Sequence, residues 1–109
     1  MDKLKTLFYE KANVAIAEIK PFLKEYDSTI IDQVTIGQVF GGMRDIKSML
    51  WETSLLDAQE GIRFRGFTIP ELQVTLPSRG GEPLPEGLFW LMLTGEMPNE
   101  ADVNWLSDE

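Results

Sequence analysis

The sequence predicts a mainly α-helical fold with a small region of short strands and one β-hairpin. Three observations support this prediction. Residues 1–27 repeat apolar side chains at three- and four-residue spacing, which is typical of an amphipathic helix. Residues 28–68 are rich in β-branched, aromatic and glycine residues, which favours short strands and turns. Residues 69–109 contain three segments that each begin with a helix-start signal, and no domain boundary falls within the chain.

The first predicted element is the helix over residues 1–27. Asp2 can cap its first turn. Pro21 has no backbone donor, so it should kink the helix or begin a second short one. The apolar stripe consists of Leu4, Leu7, Phe8, Ala12, Ala15, Ile16, Ile19, Phe22, Leu23 and Tyr26.

The second region changes in composition. Residues 28–40 are mostly β-branched or aromatic at their apolar positions, which predicts strands. The GGM segment at residues 41–43 indicates a turn or a close approach of the backbone. Residues 49–56 and 61–68 are interpreted as two further strands joined as a hairpin. On the second of these, Arg63 and Arg65 would share one face because side chains alternate along a strand.

Three short helices are predicted after this region. Thr68 as cap and Glu71 three residues later form a capping-box pattern, so the first helix should run to about Leu76. A loop over residues 77–83 follows. Pro85 and Glu86 then open a second helix.

The second helix ends at Gly95, a typical helix stop. Its apolar residues lie on every face, which predicts a helix that is buried all round. These residues are Leu88, Phe89, Leu91, Met92 and Leu93. Asn99 should cap the third helix, with Val103 and Leu106 facing inward. That helix has no C-cap signal and ends in two acids at its negative pole, so we expect a piece of a longer protein.

Charge and composition exclude several classes of function. The formal net charge is -8, and residues 55–109 carry three basic and ten acidic groups. Such a surface repels nucleic-acid backbones and anionic lipid, so we expect neither nucleic-acid nor membrane partners. The chain has no cysteine and no histidine, which removes thiolate and imidazole metal ligands and the usual catalytic base. We therefore expect no catalytic residue and no metal site in this chain.

Two basic groupings are candidate binding sites. Arg44 and Lys47 follow a double glycine and would share a face if the segment were helical, where they could bind a phosphate-bearing anion. Alternatively, Arg44 pairs with Asp45 or another nearby carboxylate. Arg63 and Arg65 are more simply interpreted as solvated, or as paired with Glu52 or Glu60. Three tryptophans and three phenylalanines match core positions, so packing explains them better than a binding pocket. They are Trp51, Trp90, Trp105, Phe64, Phe67 and Phe89.

Consecutive blocks of the sequence resemble the amino-terminal part of citrate synthase, of the eukaryotic-type branch. The blocks are GGMR (41–44), ETSLLDAQEGIRFRGFTIPE (52–71), GGEPLPEGLFWLMLTGEMP (80–98) and VNWLS (103–107). They occur in the family's order and cover about residues 34–107. Residue Phe67 stands where the family often has Tyr, and Trp51 stands where Tyr is usual.

The resemblance implies an enzyme with an all-α, two-domain fold that acts as a homodimer without metal or bound cofactor. It condenses acetyl-CoA with oxaloacetate, using histidines and an aspartate that lie in later family segments. By resemblance, this part supplies scaffold, dimer contact and one edge of the CoA site. Arg44 matches an arginine similar to one that holds CoA phosphates, and Lys47 is a weaker companion.

A different class of function remains open at this point. The chain could be a stand-alone, non-catalytic acidic module that binds a partner protein through its 84–95 helix. As part of the enzyme, it would reside in a bacterial cytoplasm, or in the mitochondrial matrix after loss of a leader.

Overall fold

The computed structural model describes residues 2–50 and 52–109, and within them the fold is mainly helical, as predicted. In chain order, the elements are α1 (Asp2–Tyr26), α2 (Ile36–Phe40), β1 (Ser54–Asp57), β2 (Gly61–Phe64), β3 (Phe67–Thr68), α3 (Ile69–Thr75), β4 (Ser78–Arg79), β5 (Glu82–Pro83), α4 (Pro85–Thr94) and α5 (Glu100–Asp108). Among the described helices, none combines the length and apolar character that crossing a bilayer requires.

The elements belong to two compact units. The first unit comprises residues 1–14 and 51–109, and the second comprises residues 15–50. The three helices predicted after residue 68 are therefore all in the first unit. The candidate pair Arg44 and Lys47 is in the second.

Helix α1 confirms the predicted amino-terminal helix. It is continuous through Pro21, so no second helix begins there, and Asp2 lies in its first turn, where a negative charge is favourable. Leu4 is buried in the first unit. In the second unit the apolar stripe remains exposed, although the rings of Phe22 and Tyr26 contact each other with centroids 5.0 Å apart.

The prediction of strands over residues 28–40 is wrong. Residues 29–35 have no regular structure, and α2 follows them. The cause is a capping box, in which the Gln38 amide donates to Thr35 Oγ1 (3.2 Å) and the Thr35 amide donates to Gln38 Oε1 (3.0 Å). This local pattern outweighs the β-propensity of the branched residues.

A three-stranded antiparallel sheet contains the predicted hairpin. Strand β1 pairs with β2 in the register Ser54 to Phe64, and β2 pairs with β3. Strand β1 begins at Ser54, later than predicted. The predicted second strand is divided in two because Arg65 (φ 49°) and Gly66 (φ 87°) adopt left-handed backbone conformations.

Helix α3 begins at the predicted capping box. The Glu71 amide donates to Thr68 Oγ1 (3.4 Å), while the Thr68 amide donates to Glu71 Oε2 (2.7 Å). The hydrogen bonds from the Thr68 amide and hydroxyl lower the pKa of Glu71 below its ordinary value. The following segment is not a plain loop as predicted, because β4 and β5 pair across the turn at Gly80 and Gly81.

The core of the first unit lies around α4. Leu91 is completely buried and forms a cluster with Leu72 and Leu76 of the α3 region. At Gly87 a Cβ atom would lie 3.3 Å from Leu76 Cδ2 and 3.5 Å from Val103 Cγ2. The glycine therefore allows the end of α3, α4 and α5 to approach closely.

Within the described residues, α4 is buried on one face and not on every face. Trp90 and Leu91 are buried, but Leu88, Met92 and Leu93 are only partly covered. Phe89 is 55% exposed. Helix α4 therefore has one face in the core and one apolar face that the described residues do not cover.

Helix α5 begins at the predicted Asn99 cap, and Val103 is fully buried as predicted. Leu106 is only partly buried. The Trp105 ring meets Trp90 edge-on with centroids 6.4 Å apart, which confirms packing roles for both tryptophans. Trp51 lies outside the described residues.

Ion pairs connect the start of α1 to the carboxyl-terminal part of the first unit. Lys3 pairs with Asp102, and Lys11 pairs with Glu96. Burial raises the pKa of Asp102, but the hydrogen bonds from Lys3 and from the Asn99 amide outweigh it, so this pKa is below its ordinary value. The Lys3 ammonium also lies 5.6 Å from the centroid of the Trp90 ring.

The capping box of α3 gives a testable prediction. Replacing Thr68→Ala should lower the free energy of unfolding by about 1 kcal/mol near neutral pH, because the Glu71 amide loses its acceptor. Thr68→Ser should retain most of the stability because the hydroxyl remains. Urea unfolding of the 109-residue chain measures both changes.

The same variant tests the ionisation of Glu71. Because the folded pKa of Glu71 is lowered, its ionised carboxylate stabilises the fold above the unfolded pKa, and this stability is lost as pH falls through the folded pKa. The loss caused by Thr68→Ala should therefore be smaller at about pH 3 than at about pH 7. Equal losses at the two pH values would show that Thr68 does not stabilise the carboxylate.

Candidate functional site

The turn after α2 is the candidate binding site, since it holds Arg44. The Gly41 amide donates to the Gly37 carbonyl (2.9 Å), and the Met43 amide donates to the Gln38 carbonyl (2.7 Å). Together with Gly42 at φ 82°, these bonds confirm the turn predicted at residues 41–43. The chain leaves α2 through this turn and then presents Arg44.

Gln38 connects the start of α2 to the backbone of Arg44. Its Oε1 accepts a hydrogen bond from the Thr35 amide at 3.0 Å, and its Nε2 donates to the Arg44 carbonyl at 3.4 Å. Sequence reasoning missed this residue. The Thr-x-x-Gln spacing at residues 35–38 is a capping-box pattern and could have identified it.

The backbone of the turn contains two non-glycine residues in the left-handed region. Met43 has φ 62° and Asp45 has φ 59°, on either side of Arg44. Side chains other than glycine adopt this conformation at a cost, and such residues cluster at binding and catalytic sites. The strained turn is therefore consistent with a binding role for this segment.

The structure places Arg44 and Lys47 on the surface of the second unit, with both side chains exposed. The condition for a shared helical face is not met, because residues 41–45 form turns and residues 46–50 have no regular structure. The alternative pairing of Arg44 with Asp45 is not observed, since neither cation forms an ion pair within residues 2–50 and 52–109. Both remain open to a ligand.

Arg63 has a structural role, which the sequence favours over ligand binding. Its Nη2 lies 2.8 Å from Glu60 Oε2, and its Nη1 donates to the Gly66 carbonyl at 3.3 Å. The hydrogen bond with Glu60 and its negative charge raise the pKa of Arg63. Arg63 therefore stabilises the hairpin.

Arg65 does not pair with Glu52 or Glu60 as expected, and its true partner was not predicted. Its Nε and Nη2 atoms both donate to the Met92 carbonyl, at 3.0 and 2.7 Å. Met92 lies in the last turn of α4, where carbonyl groups lack intrahelical donors and cations are favourable. Arg65 thus caps α4 from the turn between β2 and β3, and Gly95 at φ 75° completes the helix end.

The acidic side chains do not form a recognisable metal site. In the portion of the chain that the structure describes, no three carboxylates come together in a way that could hold a metal ion. Asp57 instead accepts hydrogen bonds from the amides of Glu60 and Gln59, which lower its pKa. It shapes the β1–β2 turn.

Comparison with known proteins shows which proteins this chain is similar to. No family model matches the chain. The chain is 56% identical over 108 residues to the mitochondrial citrate synthase of Neurospora crassa, with 97% of this chain and 23% of that protein aligned. It is 56% identical over 93 residues to the mitochondrial citrate synthases of Kajikia audax and Xiphias gladius, with 84% of this chain and 20% of each protein aligned. The chain therefore spans about a fifth of the length of these curated relatives.

The contrast between the two hairpin arginines is testable. Arg65→Ala should lower the free energy of unfolding by about 1.5–3 kcal/mol, because it removes two charge-assisted hydrogen bonds at a partly buried helix end. Arg63→Ala should cost clearly less because its ion pair is largely exposed. Arg65→Lys should recover only part of the loss, since an ammonium cannot reproduce the planar fork. Denaturant unfolding of the chain provides the measurement, and equal effects of the two alanine variants would contradict the capping role.

Proposed function

Because the chain belongs to the citrate synthase family, we propose that it is the amino-terminal part of a citrate synthase. The complete protein would condense acetyl-CoA with oxaloacetate and water to give citrate and CoA. The observation that carries this proposal is the 56% identity that extends over 97% of the chain. A match of this extent favours a part of the enzyme over a stand-alone interaction module.

In the proposed enzyme, this part provides scaffold and subunit contact. The chain contains no histidine, so the proton transfers of the reaction would depend on residues in the remaining four fifths of the protein. Support for a contact role comes from the second unit, where Ile30, Ile36 and Phe40 are largely exposed. Extended apolar surfaces of this kind mark protein contacts, and the second subunit of a homodimer is one proposed partner.

One edge of the CoA site would lie at the turn that holds Arg44. The guanidinium is exposed, has no carboxylate partner in the described part of the chain, and extends from a turn held by Gln38. A guanidinium can bind a phosphate group through two parallel hydrogen bonds. Lys47, also exposed, would add a second positive charge, and no resident cofactor or metal is required.

The proposed location is the mitochondrial matrix. All three named relatives are described as mitochondrial enzymes. A eukaryotic location is therefore favoured over the bacterial cytoplasm that the sequence alone left open.

A full-length hybrid tests the proposed function. The aligned segment of the Neurospora crassa enzyme is replaced by this chain, and citrate formation is measured from the release of free CoA. The hybrid should form citrate, whereas the 109-residue chain alone should show no turnover above background. Turnover by the isolated chain, or a folded hybrid without activity, would contradict the proposal.

The role of Arg44 is tested in the same hybrid. Arg44→Ala should raise the KM for acetyl-CoA by about tenfold to 150-fold, as expected for the loss of a charge-assisted contact worth ~1.5–3 kcal/mol. The KM for oxaloacetate should stay unchanged, and Lys47→Ala should give a smaller rise. Lys24→Ala, which removes an exposed lysine of α1, is the matched control. An unchanged KM for acetyl-CoA in Arg44→Ala would remove this residue from the CoA site.

A further inference from the structure

Gln38 forms hydrogen bonds in two directions, toward the start of α2 and toward the turn that follows it. Its side-chain Oε1 accepts from the Thr35 amide (3.0 Å) and the Thr35 hydroxyl (3.3 Å), and its Nε2 donates to the Arg44 carbonyl (3.4 Å). Its main-chain carbonyl accepts from the Met43 amide (2.7 Å). One residue therefore joins the helix start, the turn and the backbone of Arg44.

The chemistry of these partners fixes which way the Gln38 amide group points. A main-chain N–H can only donate, so the atom that faces the Thr35 amide must be the oxygen. The nitrogen then faces the Arg44 carbonyl, which can only accept. The link to Arg44 consequently requires an amide group at this position, because neither a carboxylate nor an apolar side chain provides the donor.

The exposure of the neighbouring residues shows that Gln38 lies on the covered side of α2. Within residues 29–45, all of which the structure describes, Gln38 is the only residue that is not exposed. The apolar residues Ile36 and Phe40 of the same helix are 78% and 89% exposed. The Gln38 side chain is therefore partly covered, and both of its polar atoms are hydrogen-bonded.

The backbone around Arg44 requires such a link. Met43 (φ 62°) and Asp45 (φ 59°) adopt left-handed conformations, which cost free energy for residues other than glycine. In the described part of the chain, main-chain hydrogen bonds join residues 41–43 to α2, but none joins Arg44 or Asp45 to it. The Gln38 side chain therefore holds the Arg44 carbonyl at the point where the main-chain hydrogen bonds end.

We propose that Gln38 is a positioning residue for the binding of CoA by Arg44. Gln38 does not contact the ligand. It keeps the backbone of Arg44 in the conformation from which the guanidinium reaches a phosphate group. A binding group that is already in its competent conformation loses less conformational freedom when the ligand binds, so the affinity is higher. This inference rests on the proposed function, which supplies the ligand of Arg44.

The test uses the full-length hybrid and measures kcat, the KM for each substrate, and the Kd for CoA by calorimetry. Gln38→Met removes the donor to the Arg44 carbonyl at a similar side-chain length. Gln38→Glu removes the same donor but retains an acceptor for the Thr35 amide, so the start of α2 stays capped. Gln33→Met makes the same change at an exposed glutamine that precedes α2, and it is the matched control.

Gln38→Met should raise the KM for acetyl-CoA and the Kd for CoA by about threefold to tenfold, the range expected for one neutral hydrogen bond. Gln38→Glu should raise both at least as much, because its carboxylate repels the Arg44 carbonyl oxygen. The kcat and the KM for oxaloacetate should stay unchanged, which a general loss of folding would not allow. Gln33→Met should leave all four constants unchanged.

A double-mutant cycle then shows whether Gln38 acts through Arg44. In the Arg44→Ala hybrid, Gln38→Met should have no further effect on the Kd for CoA, because the residue that it positions is absent. The same loss of affinity with and without Arg44 would overturn the inference. An effect of Gln38→Met that Gln38→Glu does not share would assign it to the cap of α2 and would also overturn the inference.

Failure of this inference can be distinguished from failure of the proposed function. If the hybrid is active and Arg44→Ala raises the KM for acetyl-CoA, but neither Gln38 variant does, the inference is overturned and the proposed function stands. A folded hybrid that forms no citrate, but binds CoA more weakly when Gln38 is replaced, contradicts the proposed function and supports the positioning role.

Discussion

The apolar contact around Leu91 determines the arrangement of the first unit. Leu91 has no solvent exposure and packs with Leu72 and Leu76, while Gly87 lets α5 come close on the neighbouring side of α4. This position of α4 brings its last turn within reach of the Arg65 guanidinium. The helix end is therefore capped from the β2–β3 turn, and hydrophobic burial and the hydrogen bonds to the Met92 carbonyl favour the same arrangement.

This core is small relative to the apolar content of the chain. Within the described residues, six hydrophobic side chains are buried whereas 22 large ones are exposed, so most of the potential hydrophobic stabilisation is not realised here. The Neurospora crassa relative contains about three times as much polypeptide again beyond the part that aligns with this chain. In the proposed enzyme, this additional polypeptide would cover part of the apolar surface that is exposed here.

Local signals predicted the fold where they were strong. The start of α3 was predicted from Thr68 with Glu71, the end of α4 from Gly95 and the start of α5 from Asn99. These predictions held because caps depend on residues only three or four positions apart. The strand prediction for residues 28–40 was wrong because the capping box at Thr35 favours a helix start despite the β-branched composition. Arg65 could not have been predicted, since its partner is 27 residues away and depends on how α4 packs.

The sequence identifies the residues of the candidate site but not their full geometry. The basic character of Arg44 and Lys47 beside a double glycine can be read from the sequence. The turn at residues 41–43 was predicted as well, but the left-handed conformations at Met43 and Asp45 and the irregular segment that carries Lys47 were not. The most direct test of the account is the crystal structure of the full-length hybrid with CoA bound. We expect the Arg44 guanidinium to contact a CoA phosphate and the helices of this chain to pack into the larger protein. CoA bound far from Arg44, or helices that remain exposed to solvent, would contradict the account.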